Sequence, residues 1–327
     1  MRVVVTGAAG FIGRRLTAAL IGQGRLAGPA GNPTPISELV LADQIAFDPP
    51  PADTIRIRCT IGDLRDAGFR QALFAGGIDS LFHLAASLTT EAERDIALGI
   101  ETNVLSLLGL LALCRAQPVA PRLVFASSIA TFGGALPAVV DDSTVQTPQT
   151  SYGVHKVIAE QLISDHSRHG VVDGRCLRLP IVVIRPPVNH SGAAPSVSDR
   201  VAAILREPLN GRDVDCPFKP ETRLPLVSVQ AVVRSLLTLH DLPGSRLGLF
   251  RAFNLPALSV SVAAMVDSLQ AYSDRKPGKV QWKPDATMQA IVDGWPAQFD
   301  SARARQLGIL PDARMTEIID AYLKDAA

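Results

Sequence analysis

The sequence predicts an α/β fold built on a doubly wound parallel sheet, with a smaller second lobe. Apolar, strand-like runs alternate with amphipathic helical patterns through the first half of the 327 residues, which is typical of βαβ units. The first run, at residues 3–6, leads through a glycine-rich turn into a helical pattern at residues 11–23. After Pro186 the alternation gives way to segments punctuated by Pro, Gly and Asn. That change predicts a lobe assembled from discontinuous pieces of the second half.

The turn after the first strand has glycines at every third position, Gly7, Gly10 and Gly13. Glycines allow main-chain N–H groups to approach a phosphate closely, and the helix that opens at Phe11 and Ile12 adds a partial positive charge. Three glycines at this spacing can also serve helix–strand packing alone. The strand before the turn and the helix after it favour the pyrophosphate site of a dinucleotide.

The element pattern sets the expected domain boundaries. Strands are predicted at residues 3–6, 38–42, 55–59, 80–85, 123–126 and 176–184. Helices are predicted at residues 11–23, 65–73, 91–115 and 152–169. We expect a dinucleotide-binding domain over residues 1–185, to which 226–255 return, and a substrate lobe over 186–225 and 256–327.

Composition excludes several classes of partner. The net charge is +1, which gives no bias toward nucleic acid or an anionic membrane. Four cysteines lie far apart, as expected of reduced thiols in the cytoplasm, and His166 and His169 lack a third metal ligand. The most apolar helical stretch, residues 104–113, is short of the roughly 20 residues that span a bilayer. We expect a cytoplasmic protein without a signal peptide or a bound metal.

Tyr152 and Lys156 stand four residues apart at the start of a predicted helix, so both side chains share one face. An ammonium beside a phenol favours the phenolate, and we expect Lys156 to lower the pKa of Tyr152 from about 10. Such a phenolate can accept a proton from a substrate alcohol. Tyr272 and Lys276 have the same spacing, but Pro277 ends their segment. We interpret that second pair as a surface helix terminus.

Two hydroxyls, Ser127 and Ser128, end the strand predicted at residues 123–126. Ligands of doubly wound sheets bind beyond the carboxyl ends of the strands. Ser128 is therefore expected to hydrogen-bond the reacting oxygen, and Ser127 to lie near the substrate. The alternative is that these serines only cap the segment that follows.

Together these motifs resemble those of the extended short-chain dehydrogenase/reductase family, which has a Rossmann domain. The resemblance rests on the glycine turn, on the His-Leu-Ala-Ala run at 83–86, on the serine pair followed by Phe132 and Gly133, and on Tyr-x-x-x-Lys. The catalytic residues that it implies are Ser128, Tyr152 and Lys156.

The resemblance also implies NAD as the cofactor. Asp43, at the end of the second strand, would bind both hydroxyls of the adenosine ribose, and its carboxylate would repel the 2′-phosphate of NADP. The other NAD-binding residues that the resemblance implies are Gly7, Gly10, Phe11, Ile12, Gly13, Asp63, Leu64, Leu84, Ala85, Ala86, Asn103, Tyr152, Lys156 and Pro180. For Asn103, a structural cap is an equally good interpretation.

Two positions depart from the nucleotide-sugar enzymes of the family. Ile181 stands where epimerases place an asparagine that contacts the substrate diphosphate, and Leu224 stands where an acidic residue follows Arg223. Four stretches resemble the D-erythronate dehydrogenase branch instead: residues 132–137, 172–180, 206–211 and 254–256. That branch oxidises the 2-hydroxyl of a four-carbon sugar acid with NAD. The substrate-binding residues that we expect are Ser87, Ser127, Ser128, Asn189 and Arg223.

Two other function classes stay open. One is a nucleoside-diphosphate-sugar epimerase or dehydratase that keeps its NAD tightly bound. The other is a non-catalytic dinucleotide sensor, which the intact serine, tyrosine and lysine disfavour.

The resemblance further implies a homodimer, because extended members often pair through two long helices, here predicted at residues 91–115 and 152–169. The candidate interface residues are Leu107, Leu108, Leu111, Ile158 and Leu162. Packing on the sheet would explain many of the same side chains.

Overall fold

The computed structural model describes residues 1–29, 31–185 and 196–326. Within these residues the strands, in chain order, are β1 (Arg2–Thr6), β2 (Arg25–Ala27), β3 (Pro33–Pro35), β4 (Glu38–Asp43), β5 (Arg56–Ile61), β6 (Ser80–His83), β7 (Arg122–Ser128), β8 (Asp173–Leu179), β9 (Ile181–Val182), β10 (Val214–Cys216), β11 (Arg223–Val227), β12 (Ala252–Asn254), β13 (Leu258–Ser261) and β14 (Val280–Trp282).

The main sheet confirms the predicted fold class. Seven strands pair in the order β12-β8-β7-β6-β1-β4-β5, and every pair in this sheet is parallel. The direction of winding reverses between β1 and β6. Since the chain leaves these two strands on opposite sides, their carboxyl ends border a crevice.

Helices cover both faces of this sheet. In chain order, the helices of the described residues are α1 (Phe11–Gln23), α2 (Ala67–Phe74), α3 (Thr89–Arg94), α4 (Ile96–Ile100), α5 (Ser106–Arg115), α6 (Ser151–Arg168), α7 (Val197–Leu209), α8 (Val229–Asp241), α9 (Val262–Asp267), α10 (Ala286–Asp293), α11 (Ala302–Gln306) and α12 (Met315–Ala326), of which α7, α9, α10 and α12 belong to a separate core cluster. Val3 and Val5 of β1 pack in the core beneath α1 and α8, whereas Val4 packs in the core beneath α2, α5 and α6. A strand buried on both faces reads as a continuous apolar run, which explains the pattern that begins the chain.

Pro180 divides the long strand that was predicted at residues 176–184. β8 ends at Leu179, and β9 leaves the main sheet to pair with β11, which pairs in turn with β13. Proline offers no N–H to a sheet ladder, so a break at this position is expected on physical grounds. A third core cluster lies beyond the break and includes Ile181, Ile204, Phe218, Leu224, Met265 and Ile319.

The helix predicted at residues 91–115 is interrupted in the structure. α3 ends before Asp95, and a π-helical turn, Glu101–Leu105, connects α4 to α5. The helical segment Ile96–Arg115 is continuous over 20 residues and is apolar enough to cross a membrane by length and composition. The expectation of a shorter apolar helix was therefore wrong. Leu107, Leu110 and Leu111 of this helix are fully buried in the core on the main sheet, the packing of a core helix.

Candidate active site

The glycine turn joins β1 to α1 at the crevice. Gly7 has a φ of +73°, and a Cβ there would lie 2.7 Å from the main-chain nitrogen of Ala85. A Cβ on Gly13 would lie 2.1 Å from the carbonyl oxygen of Gly7. α1 begins without a side-chain cap, which leaves the N–H groups of Phe11 and Ile12 available at a positive helix terminus. This cradle fits a dinucleotide pyrophosphate.

The acidic residues predicted to hold the adenosine lie at the end of β4 and just after β5. Asp43 ends β4, and its carboxylate accepts hydrogen bonds from the N–H of Ala9 at 2.9 Å and of Ile45 at 3.2 Å. Asp43 thus touches the glycine turn itself. Asp63 is paired with Arg65 at 2.6 Å, and that hydrogen bond lowers the pKa of Asp63. The next residue, Leu64, is buried in the core.

The segment after β6 forms the opposite wall of the crevice. Leu84, Ala85 and Ala86 are partly buried, and the N–H of Leu84 bonds to the carbonyl of Thr6 at 3.1 Å. Asn103, in the π-helical turn, does not extend into the crevice as a free amide. Its side chain is bonded to the main chain of Ser87 at 2.9 Å through both its oxygen and its nitrogen. Pro180 is buried at the end of β8.

The structure brings Ser128, Tyr152 and Lys156 together at the carboxyl end of β7. The phenol of Tyr152 is hydrogen-bonded to the hydroxyl of Ser128. Lys156 is buried, its Nζ donates to the carbonyl of Ala126 at 2.7 Å, and it lies 5.3 Å from the centroid of the Tyr152 ring. A hydroxyl, a phenol and an amine thus meet within one cluster.

Gly153 is a site residue that the sequence analysis did not single out. A Cβ at this position would lie 2.1 Å from the carbonyl oxygen of Ala130. Only glycine allows the first turn of α6 to approach the end of β7 so closely. The signal available in the sequence was the glycine directly after Tyr152.

The pKa values of the cluster differ from the sequence expectation. Burial raises the pKa of Tyr152 to about 12, with the Ser128 hydrogen bond acting in the opposite direction. Burial also lowers the pKa of Lys156 to about 7, against the attraction of the Glu160 carboxylate. The expectation that Lys156 lowers the pKa of Tyr152 was therefore wrong for this structure, because desolvation of the phenolate outweighs every other influence.

The predicted substrate-binding residues occupy different surroundings. Ser127 is buried, and its hydroxyl donates to Glu160 behind the cluster of Ser128, Tyr152 and Lys156. Arg223 is exposed on β11 and donates to the carbonyl of Ser259 at 2.8 Å. Ser87 is buried, and its hydroxyl donates to Glu91 at 3.3 Å. Asn189 lies outside the described residues.

A buried ion pair behind the cluster was not anticipated. Glu160 of α6 and Arg178 of β8 are each 1 % exposed, and their side chains are 2.7 Å apart. Glu160 also accepts from Ser127 and Gln146, and Arg178 donates to Asn254 at 3.1 Å. A charged residue inside an otherwise apolar strand pattern was the available signal.

A model described as the NAD dependent epimerase/dehydratase family matches residues 3–244. The chain belongs to this family. NAD is the cofactor of this chain, as it is of the family. This agrees with the glycine cradle and with the carboxylate of Asp43.

Several known proteins are similar to the chain over its whole length. A D-erythronate dehydrogenase from Cupriavidus necator is 41 % identical over 327 residues, covering 100 % of this chain and 99 % of that protein. A D-erythronate dehydrogenase from Haemophilus influenzae is 37 % identical over 325 residues, covering 99 % of each. The crystal structure of a nucleoside-diphosphate-sugar epimerase from Agrobacterium tumefaciens superimposes with a TM-score of 0.91 at 31 % identity, covering 99 % of this chain and 94 % of that one.

We predict that Gly13→Ala weakens NAD binding. The added methyl group meets the Gly7 carbonyl and, at 2.8 Å, the Cα of Ala8, so the turn and the helix must separate. Such overpacking costs about 1–3 kcal/mol, or roughly 5- to 150-fold in affinity. Calorimetric titration with NAD measures the change. Gly22→Ala in the same helix meets nothing within 4 Å and serves as the control; equal affinities for both variants would contradict the assignment of the cradle.

Proposed function

We propose that the protein oxidises the 2-hydroxyl of a small, D-erythronate-like sugar acid to the 2-oxo acid with NAD. The cluster of Ser128, Tyr152 and Lys156 beside the glycine cradle carries this proposal, because it can remove a proton from an alcohol. The two D-erythronate dehydrogenases that resemble the chain along its full length supply the substrate class.

The mechanism assigns one role to each member of the cluster. Tyr152, as phenolate, accepts the proton of the C2 hydroxyl, and Ser128 donates a hydrogen bond to the same oxygen. Tyr152 and Lys156 titrate as a pair, and the reactive form is the one in which Tyr152 is the phenolate while Lys156, held by the carbonyl of Ala126, keeps its proton. A bound NAD would supply the acceptor for the hydride lost from C2.

The cofactor would be held by the residues that line the crevice. We assign the pyrophosphate to Gly7, Gly10 and Gly13 with the N-terminus of α1, and the adenosine ribose to Asp43. The other assigned contacts are Asp63, Leu64, Leu84, Ala85, Ala86, Lys156 and Pro180. We assign Asn103 to the wall of the site, since its amide is bonded to Ser87.

The surroundings of the cluster favour a substrate without a nucleotide. Ile181 and Leu224 are buried in the apolar core of the second lobe, so neither position offers a polar contact to a diphosphate. A carboxylate requires a cation or several donors, and we propose Arg223 and Asn189 for this role. Since the hydroxyl of Ser127 is bonded to Glu160, we propose that Ser127 supports the site from behind.

We also propose that residues 1–185 and 226–255 form the dinucleotide-binding domain, that residues 186–225 and 256–327 form the substrate lobe, and that the protein is cytoplasmic. The third core cluster, formed largely after Pro180, supports a substrate lobe separate from the dinucleotide domain. The burial of Leu107 and Leu110 of helix Ile96–Arg115 beneath the sheet supports a location away from the membrane.

The test is the formation of NADH with a panel of four- to six-carbon sugar acids. Stoichiometric NADH with a four-carbon 2-hydroxy acid is the expected result. The alternative is a nucleoside-diphosphate-sugar epimerase, which the resemblance to the Agrobacterium tumefaciens structure favours. Turnover of nucleotide sugars with NAD retained on the protein, and no NADH from any acid, would establish that alternative.

We propose that the protein is a homodimer joined through α4, α5 and α6. Apolar side chains on these helices are exposed, including Leu108 at 37 % and Ile158 at 39 %. The other exposed members of this face are Ile96, Ile100, Leu105 and Val154. Leu107 and Leu111, which were also candidates, are fully buried toward the sheet. Exposed apolar side chains on helices that pack on one another are typical of an interface.

We predict that Ile158→Asp converts the dimer to a monomer, because burying an unpaired carboxylate in an apolar interface is costly. Sedimentation should show two 34.7 kDa chains for the parent protein and one for the variant. Leu249→Asp is the control, since Leu249 is 88 % exposed and lies outside the three helices. A variant that still sediments as the parent would exclude this face as the interface.

A further inference from the structure

Asn103 connects two parts of the site that are distant in sequence. Its Oδ1 accepts from the N–H of Ser87, and its Nδ2 donates to the carbonyl of Ser87, both at 2.9 Å. The same Nδ2 lies 3.3 Å from Nδ1 of His155 on the catalytic helix α6. Both polar atoms of this buried amide therefore have partners within the protein.

The surroundings of His155 suit a hydrogen-bond acceptor for the side-chain amide of Asn103. It precedes Lys156 in the chain and is 3 % exposed. The ring packs on Gly99 of α4, where a Cβ would lie only 2.8 Å from its Cε1. The charged groups that face it are Glu93 of α3 and Lys156 of α6, and burial, the largest influence, lowers its pKa. The neutral ring can accept at Nδ1 while its proton stays on Nε2.

The segment held by Asn103 lies directly against the dinucleotide cradle. Leu84 and Ala85 are the residues that a Cβ on Gly7 would strike, at 2.9 Å and 2.7 Å. Ser87 lies two residues after Ala85 in the same segment, and Asn103 holds Ser87 by both of its main-chain groups. His155 connects that segment to the helix that carries Tyr152 and Lys156.

We propose that His155 is a positioning residue for NAD: its Nδ1 holds the Asn103 clamp on Ser87 and so keeps the cradle wall at a fixed distance from the catalytic helix. The inference deepens the proposed function in one respect, since it takes residues 84–87 as part of the NAD site. It assigns His155 no contact with substrate or cofactor.

The test compares two variants by titration with NAD alone. His155→Leu retains bulk but removes the acceptor, which leaves a buried N–H of Asn103 unsatisfied, and we expect roughly tenfold weaker NAD binding. His155→Asn restores an acceptor at the δ position, and we expect binding within about twofold of the parent protein. Thermal unfolding is followed in parallel. Should His155→Leu fail to fold, His155→Ala takes its place with the same expectation.

A double-mutant cycle separates positioning from a general loss of packing. If His155 acts through Asn103, His155→Leu should weaken NAD binding by less than about twofold when Asn103→Leu is already present. The proposal would be overturned if the effects of His155→Leu and Asn103→Leu on NAD affinity were fully additive. It would also be overturned if His155→Leu and His155→Asn bound NAD equally well, or if His155→Leu bound it as the parent protein does. Since no sugar acid is needed, failure here is distinct from failure of the NADH screen.

Discussion

Tyr152→Phe should reduce NADH formation by roughly 10²- to 10⁴-fold, the usual contribution of a general base. The substitution removes only the hydroxyl that is bonded to Ser128. The ring remains for the contact with Lys156, whose Nζ lies 5.3 Å from its centroid. NAD binding should consequently be unchanged. Stopped-flow or steady-state NADH absorbance measures the first quantity, and calorimetric titration with NAD the second.

The chain provides its own control for this experiment. Tyr272 also precedes a lysine, Lys276, by four residues, but its hydroxyl donates to Asp320 at 2.7 Å and it lies in the second lobe. Tyr272→Phe should leave NADH formation unchanged. Normal turnover by Tyr152→Phe, or an equal loss in both variants, would contradict the assignment of Tyr152 as the base.

The rate of NADH formation should rise with pH, because Tyr152 can act as a base only after the pair of Tyr152 and Lys156 has lost one proton. Tyr152 and Lys156 titrate as a coupled pair. Burial places the first ionisation of the pair at about 7, through Lys156, and the second at about 12, through Tyr152. We expect kcat/KM for the sugar acid to increase as the pH is raised to about 7 and to level off at higher pH. A profile that falls between pH 6 and 8 would contradict this mechanism.

Local patterns were enough to predict the main sheet and the proximity of Ser128, Tyr152 and Lys156. The central strands β1, β4, β6 and β7 are buried on both faces, and the glycine turn and the Tyr-x-x-x-Lys motif are each contiguous in sequence. Parallel strands bring their carboxyl ends to one edge, so Ser128 and the glycine turn had to meet there.

Features that depend on distant contacts were not predicted. The pKa of Tyr152 is raised because several elements bury its side chain. The four-residue spacing to Lys156 carries no information about that burial. The π-helical turn places Asn103 against Ser87 and His155, and no periodicity at residues 101–105 signals it. Pro180 was visible in the sequence as a strand breaker, but the strand predicted at residues 176–184 ran through it.

Arg178→Met should destabilise the protein by about 3–5 kcal/mol, the usual result of removing one partner from a buried ion pair. Both Glu160 and Arg178 are 1 % exposed, so the carboxylate that remains has no access to water. Arg178 also lies over the rings of Phe132 and Phe250, at 5.2 Å and 5.4 Å from their centroids. The variant therefore loses packing as well as charge. Urea unfolding followed by circular dichroism measures the loss.

An exposed ion pair on the same helix is the matched control. Arg168 and Asp165 are 2.7 Å apart but 62 % and 53 % exposed, and water compensates each of them. Arg168→Met should change stability by no more than about 0.5 kcal/mol, as is usual for such pairs. The double replacement Glu160→Met with Arg178→Met should recover part of the loss, because no unpaired charge remains. Recovery is expected to be incomplete, since Ser127, Gln146 and Asn254 lose their partners. Equal effects of Arg178→Met and Arg168→Met would show that burial of the pair does not determine its contribution.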